Sequence, residues 1–144
     1  MFKLYMAFSA LFNLITAILV SLFVLSKNWK ARANYGFFLF GFSVALWSFG
    51  YFRWQVAANE QAALYWCRIL TLGSIWITVW YYYFVMHLLE LKERKYRVIF
   101  LLGVALSCAF TFFNLTTGLL VRSIRPAMVF EFWPIPGPLY LPYL

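Results

Sequence analysis

Residues 98–121, "VIFLLGVALSCAFTFFNLTTGLLV", run through 24 positions without one charged side chain. A run this long exceeds what a core helix needs and matches the about 20 apolar residues required for one helical crossing of a bilayer. Backbone amides in hydrocarbon find no water, so a spanning segment is a helix or a strand of a closed barrel. A barrel strand alternates polar and apolar residues over roughly ten positions, and this run does not alternate. It reads as a membrane helix.

Three other runs read the same way: 4–25, 35–52 ("YGFFLFGFSVALWSFGYF") and 65–91 ("YWCRILTLGSIWITVWYYYFVMHLLEL"). The composition agrees, with 65% hydrophobic, 24% aromatic and 11% charged residues, where globular domains hold about 45–50% apolar and about 25% charged. The expected fold is all-α: a polytopic transmembrane bundle of four spans, forming one membrane module over residues 1–144. The first run has about 22 apolar residues and no A-x-A site after it, so it is expected to be a retained span, not a signal peptide. No internal repeat or linker interrupts the pattern.

The net charge of +8 would suit a nucleic-acid partner if the basic residues formed a face. They do not, so no nucleic-acid partner is expected. "SKNWKAR" carries Lys27, Lys30 and Arg32, and "LKERKYR" carries Lys92, Arg94, Lys95 and Arg97. Both loops fall on one side of the membrane. The other side holds "QVAANEQAA" with Lys3, Arg122 and Arg125, plus Arg53 and Arg68 at helix ends. The bias puts the two basic loops in the cytoplasm and the N-terminus outside.

Catalytic chemistry finds no foothold. The acids Glu60, Glu90, Glu93 and Glu131 lie in loops or at helix ends. His87 and Cys67 are about 30 Å apart along one helix at 1.5 Å per residue, and Cys108 lies mid-membrane on another. No cofactor, metal site or enzymatic activity is expected. A proton- or cation-coupled transporter needs an ionisable group inside a span, and none of the four spans buries an Asp or Glu.

The polar residues within the spans have competing readings. Arg68 either snorkels to the headgroups or anchors an anionic ligand or Glu131. Asn114, near Thr116 and Thr117, either joins helices by hydrogen bonding or contacts a ligand. With Trp66 as an aromatic wall, Arg68 and Asn114 form the candidate ligand-sensing set for a small amphipathic or anionic ligand at the outer face. Ser9, Asn13, Ala17 and Ser21 recur every four residues and predict a close helix-packing seam, with Ala105 and Ala109 a second such pair. The aromatic cluster Trp76–Phe84 is expected to face lipid or to line an apolar pocket.

The chain closes on "EFWPIPGPLYLPYL" (131–144), where four prolines forbid a continuous helix. "IPGP" predicts a turn with Pro136 at its second position and Gly137 at φ > 0 in its third. With the β-prone flanks "MVFEFW" and "PLYL" it predicts a hairpin loop over 126–142 on the outer surface.

"ALWSFGYF" followed by "LYWCRILTLGSIWITVWYYYF" resembles the N-terminal seven-helix membrane region of bacterial sensor histidine kinases. Trp47 and Gly50 resemble its Trp-x-x-Gly pattern, and Trp66, Arg68 and Gly73 its aromatic-x-basic pair with a following glycine. Trp80 to Phe84 and "LKERK" resemble the aromatic close and basic loop of its third helix. "FEFWPIPGPLY" resembles its outer loop after the fourth. The resemblance implies a sensory input module in a bacterial inner membrane, with three further helices and a kinase beyond it, and a homodimer is its candidate assembly. "PLYLPYL" would then lead into a fifth helix, and the chain would be a fragment. A small transporter or the membrane-anchor subunit of a larger complex is the alternative.

Overall fold

The computed structural model describes residues 2–127 and 130–143. Four long helices, α1 (Phe2–Lys27), α2 (Arg32–Gln55), α3 (Glu60–Leu88) and α4 (Arg94–Thr116), are each long and apolar enough to cross a membrane. They are followed by β1 (Val121–Ala127), β2 (Phe130–Pro136) and a single helical turn, α5 (Tyr140–Tyr143).

Packing runs in series: α1 lies on α2, α2 on α3, and α3 on α4 and on both strands. Glycine sets the closest approaches. A Cβ at Gly73 would stand 2.5 Å from the Trp47 amide nitrogen, and one at Gly50 would stand 2.7 Å from that of Leu70. A Cβ at Gly36 would likewise stand 3.0 Å from the Phe84 Cα. The α2 and α3 backbones therefore touch at three points, as small residues allow in membrane bundles. Trp47, Gly50 and Gly73, three of the residues that carry the resemblance, meet here in a packing role. On the α1 side, Gly41 abuts Ser21 and the Ala17 carbonyl. Asn13 Nδ2 donates to Ser48 Oγ at 2.7 Å. Of the predicted α1 stripe, Ala17 and Ser21 lie against Gly41 and the exposed Asn13 reaches Ser48, while Ser9 is exposed beside the buried Ala7 and Ala10.

Side chains elsewhere on α1 and α4 are exposed and apolar. Phe8, Phe12, Leu19, Leu101, Leu106 and Phe112 are all more than half exposed, the surface a bilayer covers. Ala105 and Ala109 are exposed too, so they form no seam. The α4 face that meets α3 is instead Gly103, Ser107, Phe110 and Asn114, at i, i+4, i+7 and i+11. The Trp76–Phe84 cluster is largely interhelical. Trp76 Nε1 donates to Thr111 Oγ1 at 3.2 Å, and Trp80 and Tyr83 both pack on Phe100.

Several boundaries differ from the predicted ones. The third helix begins at Glu60, not 65, because Asn59 caps it: its Oδ1 accepts from the Ala62 amide at 2.8 Å. It ends at Leu88, where Glu90 takes φ 52°. There the Leu91 amide reaches the Met86 carbonyl at 2.9 Å and the Glu90 amide that of His87 at 3.4 Å, the pairing of a Schellman close. The fourth helix stops at Thr116, five residues before the predicted end. Extended Thr117 turns its hydroxyl onto the Phe113 carbonyl at 2.6 Å.

The strand pairing near the C-terminus spans 121–136, not the predicted 126–142, and does not turn at "IPGP". Its antiparallel strands pair Val121 with Pro136 and Ala127 with Phe130, so the chain reverses between 127 and 130. Met128 and Val129 of the predicted flank lie outside the described residues. Gly137 has no positive φ. It donates to the Leu120 carbonyl at 2.8 Å, and a Cβ there would overlap the Leu119 carbonyl. Close backbone approach, not turn geometry, requires glycine. The "PLYL" flank is not a strand but leads into α5. The prolines of β2 are tolerated because each strand of a two-stranded sheet has a free edge.

Candidate functional site

The connection between α2 and α3 and the β hairpin share one end of the bundle. Trp54, in the last turn of α2, holds them together. Its indole Nε1 donates to the Phe132 carbonyl at 2.6 Å, its ring stacks on Phe130 at 5.7 Å, and Trp133 meets it edge-on at 5.8 Å. Beneath it, Ala63 and Cys67 of α3 pack against Val121 and Ile124 of β1.

Between this core and α5 lies a hollow of about 550 Å³, walled by Trp47, Tyr51 and Trp54 from α2 and by Trp133 to Pro136 from β2. Cys67, Thr71 and Ser74 form its α3 wall, and Tyr140 and Tyr143 close it. Thr71 Oγ1 donates to the Cys67 carbonyl at 2.9 Å, and Ser74 Oγ lies 2.5 Å from Tyr143 Oη. Burial pushes the Tyr143 phenol above its ordinary range. Ser74 is the midpoint of α3, about 21 Å from either helix end at 1.5 Å per residue. The closing segment therefore runs along the side of the bundle as far as the middle of α3, with none of the α5 residues buried. Size and lining suit a small, largely apolar molecule with a hydroxyl or carbonyl to pair.

Of the three predicted sensing residues, Arg68 and Asn114 come together and Trp66 does not join them. Asn114, 1% exposed, donates its Nδ2 to the Arg68 carbonyl at 2.8 Å. Arg68 Nη2 donates to the Thr117 carbonyl at 3.3 Å, placing a guanidinium at the negative end of the α4 dipole. Arg68 lies eight residues into α3, about 12 Å from its start, because the helix begins early. Arg68 Nε and Asn114 Oδ1 are buried without partners. Trp66 faces α2, edge-on to Phe49 at 5.4 Å and under the Arg53 guanidinium at 4.8 Å. Two residues along a helix turn about 200°, so Trp66 and Arg68 occupy opposite faces. None of the three lines the hollow, and the Glu131 side chain lies outside the described residues.

The hollow's own residues escaped the sequence reading. Cys67, Thr71 and Ser74 at i, i+4 and i+7 were the available signal, a small polar stripe on one face of α3.

At the other end of the bundle, Arg32, His87, Glu90, Lys92 and Arg97 surround a second pocket of about 440 Å³ floored by Met86 and Leu91. The two basic loops thus share one end. Among the described residues no group of three His, Cys, Asp or Glu is placed to hold a metal ion. No protein-family model matches the chain, and no curated protein or solved structure is significantly similar to it.

Proposed function

We propose that this chain is the membrane-embedded input module of a signalling receptor, of the two-component type, that receives a small amphipathic ligand. The observation that carries the reading is the aromatic hollow between α2, α3 and the hairpin. Its walls come from elements with different freedom: α2 and α3 are locked backbone to backbone, while β2 and α5 reach the pair through side chains and a few hydrogen bonds. A molecule seated there contacts both parts and favours whichever arrangement it fits, the requirement for converting binding into a population shift.

An amphipathic ligand suits the hollow better than an anionic one, because the Arg68 guanidinium points to Thr117 and away from it. The sensory reading is also favoured over a coupled transporter, since Glu60, Glu90 and Glu93 all sit at helix ends or in connections. The positive-inside bias supports cytoplasmic basic loops and an outer face formed by the hairpin end, in a bacterial inner membrane.

Binding of 2-naphthol, an aromatic alcohol of suitable size, to the purified chain tests the reading through tryptophan fluorescence. A saturable change is expected in the parent chain. Thr71→Phe, which fills the hollow, is expected to abolish it, with unchanged helix content. Equal binding by both chains would defeat the reading.

A further inference from the structure

The second pocket, at the basic-loop end, is lined from three helices and one connection. Arg32 is the first residue of α2, His87 lies in the last turn of α3, Lys92 in the α3–α4 connection and Arg97 in the first turn of α4. Three permanent cations face one carboxylate, Glu90, already engaged by Lys92 at 3.5 Å. Arg32 and Arg97 make no ion pair among the described residues. Arg32, Lys92 and Arg97 are exposed, and three like charges gathered at one pocket repel, so an anion bound there is favoured.

The floor and surroundings identify what carries that anion. Met86 and Leu91 make the floor apolar. About 9 Å further along α4 from Arg97, at 1.5 Å per residue, the same helix pair opens a second hollow around Val79, Gly103 and Leu106. A Cβ at Gly103 would meet nothing nearer than 3.9 Å. Between the mouth and that hollow, Trp80 and Tyr83 pack on Phe100, so a tail leaving the mouth lies over these rings on the lipid-facing side of the helix pair. A charged mouth beside aromatic and apolar membrane surface matches one phosphate ester with its hydrocarbon tail.

We infer that this pocket binds the phosphodiester headgroup of an anionic phospholipid, with Arg32 and Arg97 as its principal ligands and an acyl chain lying over the α3–α4 aromatic rings. Guanidinium forks pair two phosphate oxygens at once, which an ammonium does not. The headgroup pocket shares no lining residue with the aromatic hollow, and the inference does not depend on the sensory reading.

The purified chain in neutral detergent is titrated with phosphatidylglycerol, with phosphatidylcholine of the same chain length, and with inorganic phosphate, with retained ligand counted by native mass spectrometry. Phosphatidylglycerol is expected to bind more tightly than phosphatidylcholine. The double variant Arg32→Gln/Arg97→Gln is expected to lose about thirtyfold in that affinity, roughly fivefold per basic residue. Lys27→Gln/Lys30→Gln removes the same charge from outside the pocket and is expected to leave the preference in place. Arg32→Lys, which keeps the charge and the fold, is expected to bind phosphatidylglycerol less well than the parent.

An equal loss in the lysine control would overturn the inference in favour of diffuse attraction, as would equal binding of the two lipids. Displacement of phosphatidylglycerol by millimolar inorganic phosphate would overturn the lipid source and leave a free-anion site.

Discussion

Replacing Gly73 with alanine tests whether the α2–α3 crossing is as tight as its geometry states. The new methyl carbon would lie 2.5 Å from the Trp47 nitrogen, 2.8 Å from its Cα and 3.0 Å from the Ser43 carbonyl oxygen. All three are backbone atoms, so no rotamer change relieves the clash. Ordinary contact begins at 3.4 Å, and the helices must part by the shortfall, about 0.9 Å. Overpacking of this kind costs about 1–3 kcal/mol, while removing a helical glycine returns about 0.5–1 kcal/mol.

Gly103→Ala is the matched control, since its methyl makes only an ordinary contact with Val79 at 3.9 Å and retains the propensity gain. Unfolding of the purified chain in mixed micelles, followed by circular dichroism, is expected to rank Gly103→Ala above the parent. Gly73→Ala should fall below the parent by about 1 kcal/mol or more. Equal stability of the two variants would refute the argument that backbone contact positions α2 on α3.

Asn114→Leu is expected to destabilise by about 1 kcal/mol through loss of the bond to the Arg68 carbonyl, measured by the same unfolding assay. Arg68→Lys should cost less than Asn114→Leu if the guanidinium only caps α4, and it should alter the signal response of a receptor carrying this module if the pair also senses. Glu90→Gly relieves a left-handed backbone and is expected to stabilise by up to about 1 kcal/mol; a loss would show that the Lys92 contact outweighs the strain. Single cysteines at positions 95 and 58, with Cys67 and Cys108 replaced, should be labelled by an impermeant thiol reagent in intact cells at 58 only.

The four crossings were legible because lipid imposes a simple rule, a long apolar run with charges at its edges. The same rule failed where apolarity had another cause. Leu120 and Val121 extend the last run, yet they are apolar because they form the hairpin core, at 0% and 5% exposure. Hydropathy reports burial and not the secondary structure that achieves it. Gly137 misled in a similar way: glycine serves turns and close approaches alike, and only the pairing with Leu119 and Leu120, 17 or 18 residues away, separates them. Sequence placed Arg68 and Asn114 at one membrane depth, but not the bond between Asn114 and the Arg68 carbonyl, which depends on how α4 is rotated against α3. The aromatic hollow was not legible either, since it needs β2 and α5 folded back onto α3.

Because α3 meets α2 through backbone at Leu70, Gly73 and Phe84, the two helices act as one stiff beam with no pivot between them. Cys67, on the aromatic hollow, is three residues beyond one outer contact, about 4.5 Å; His87, on the basic pocket, is three residues beyond the other, about 4.5 Å. A push on α3 from Trp54 and Trp133 therefore carries α2 with it, and the two pockets move as opposite ends of one body.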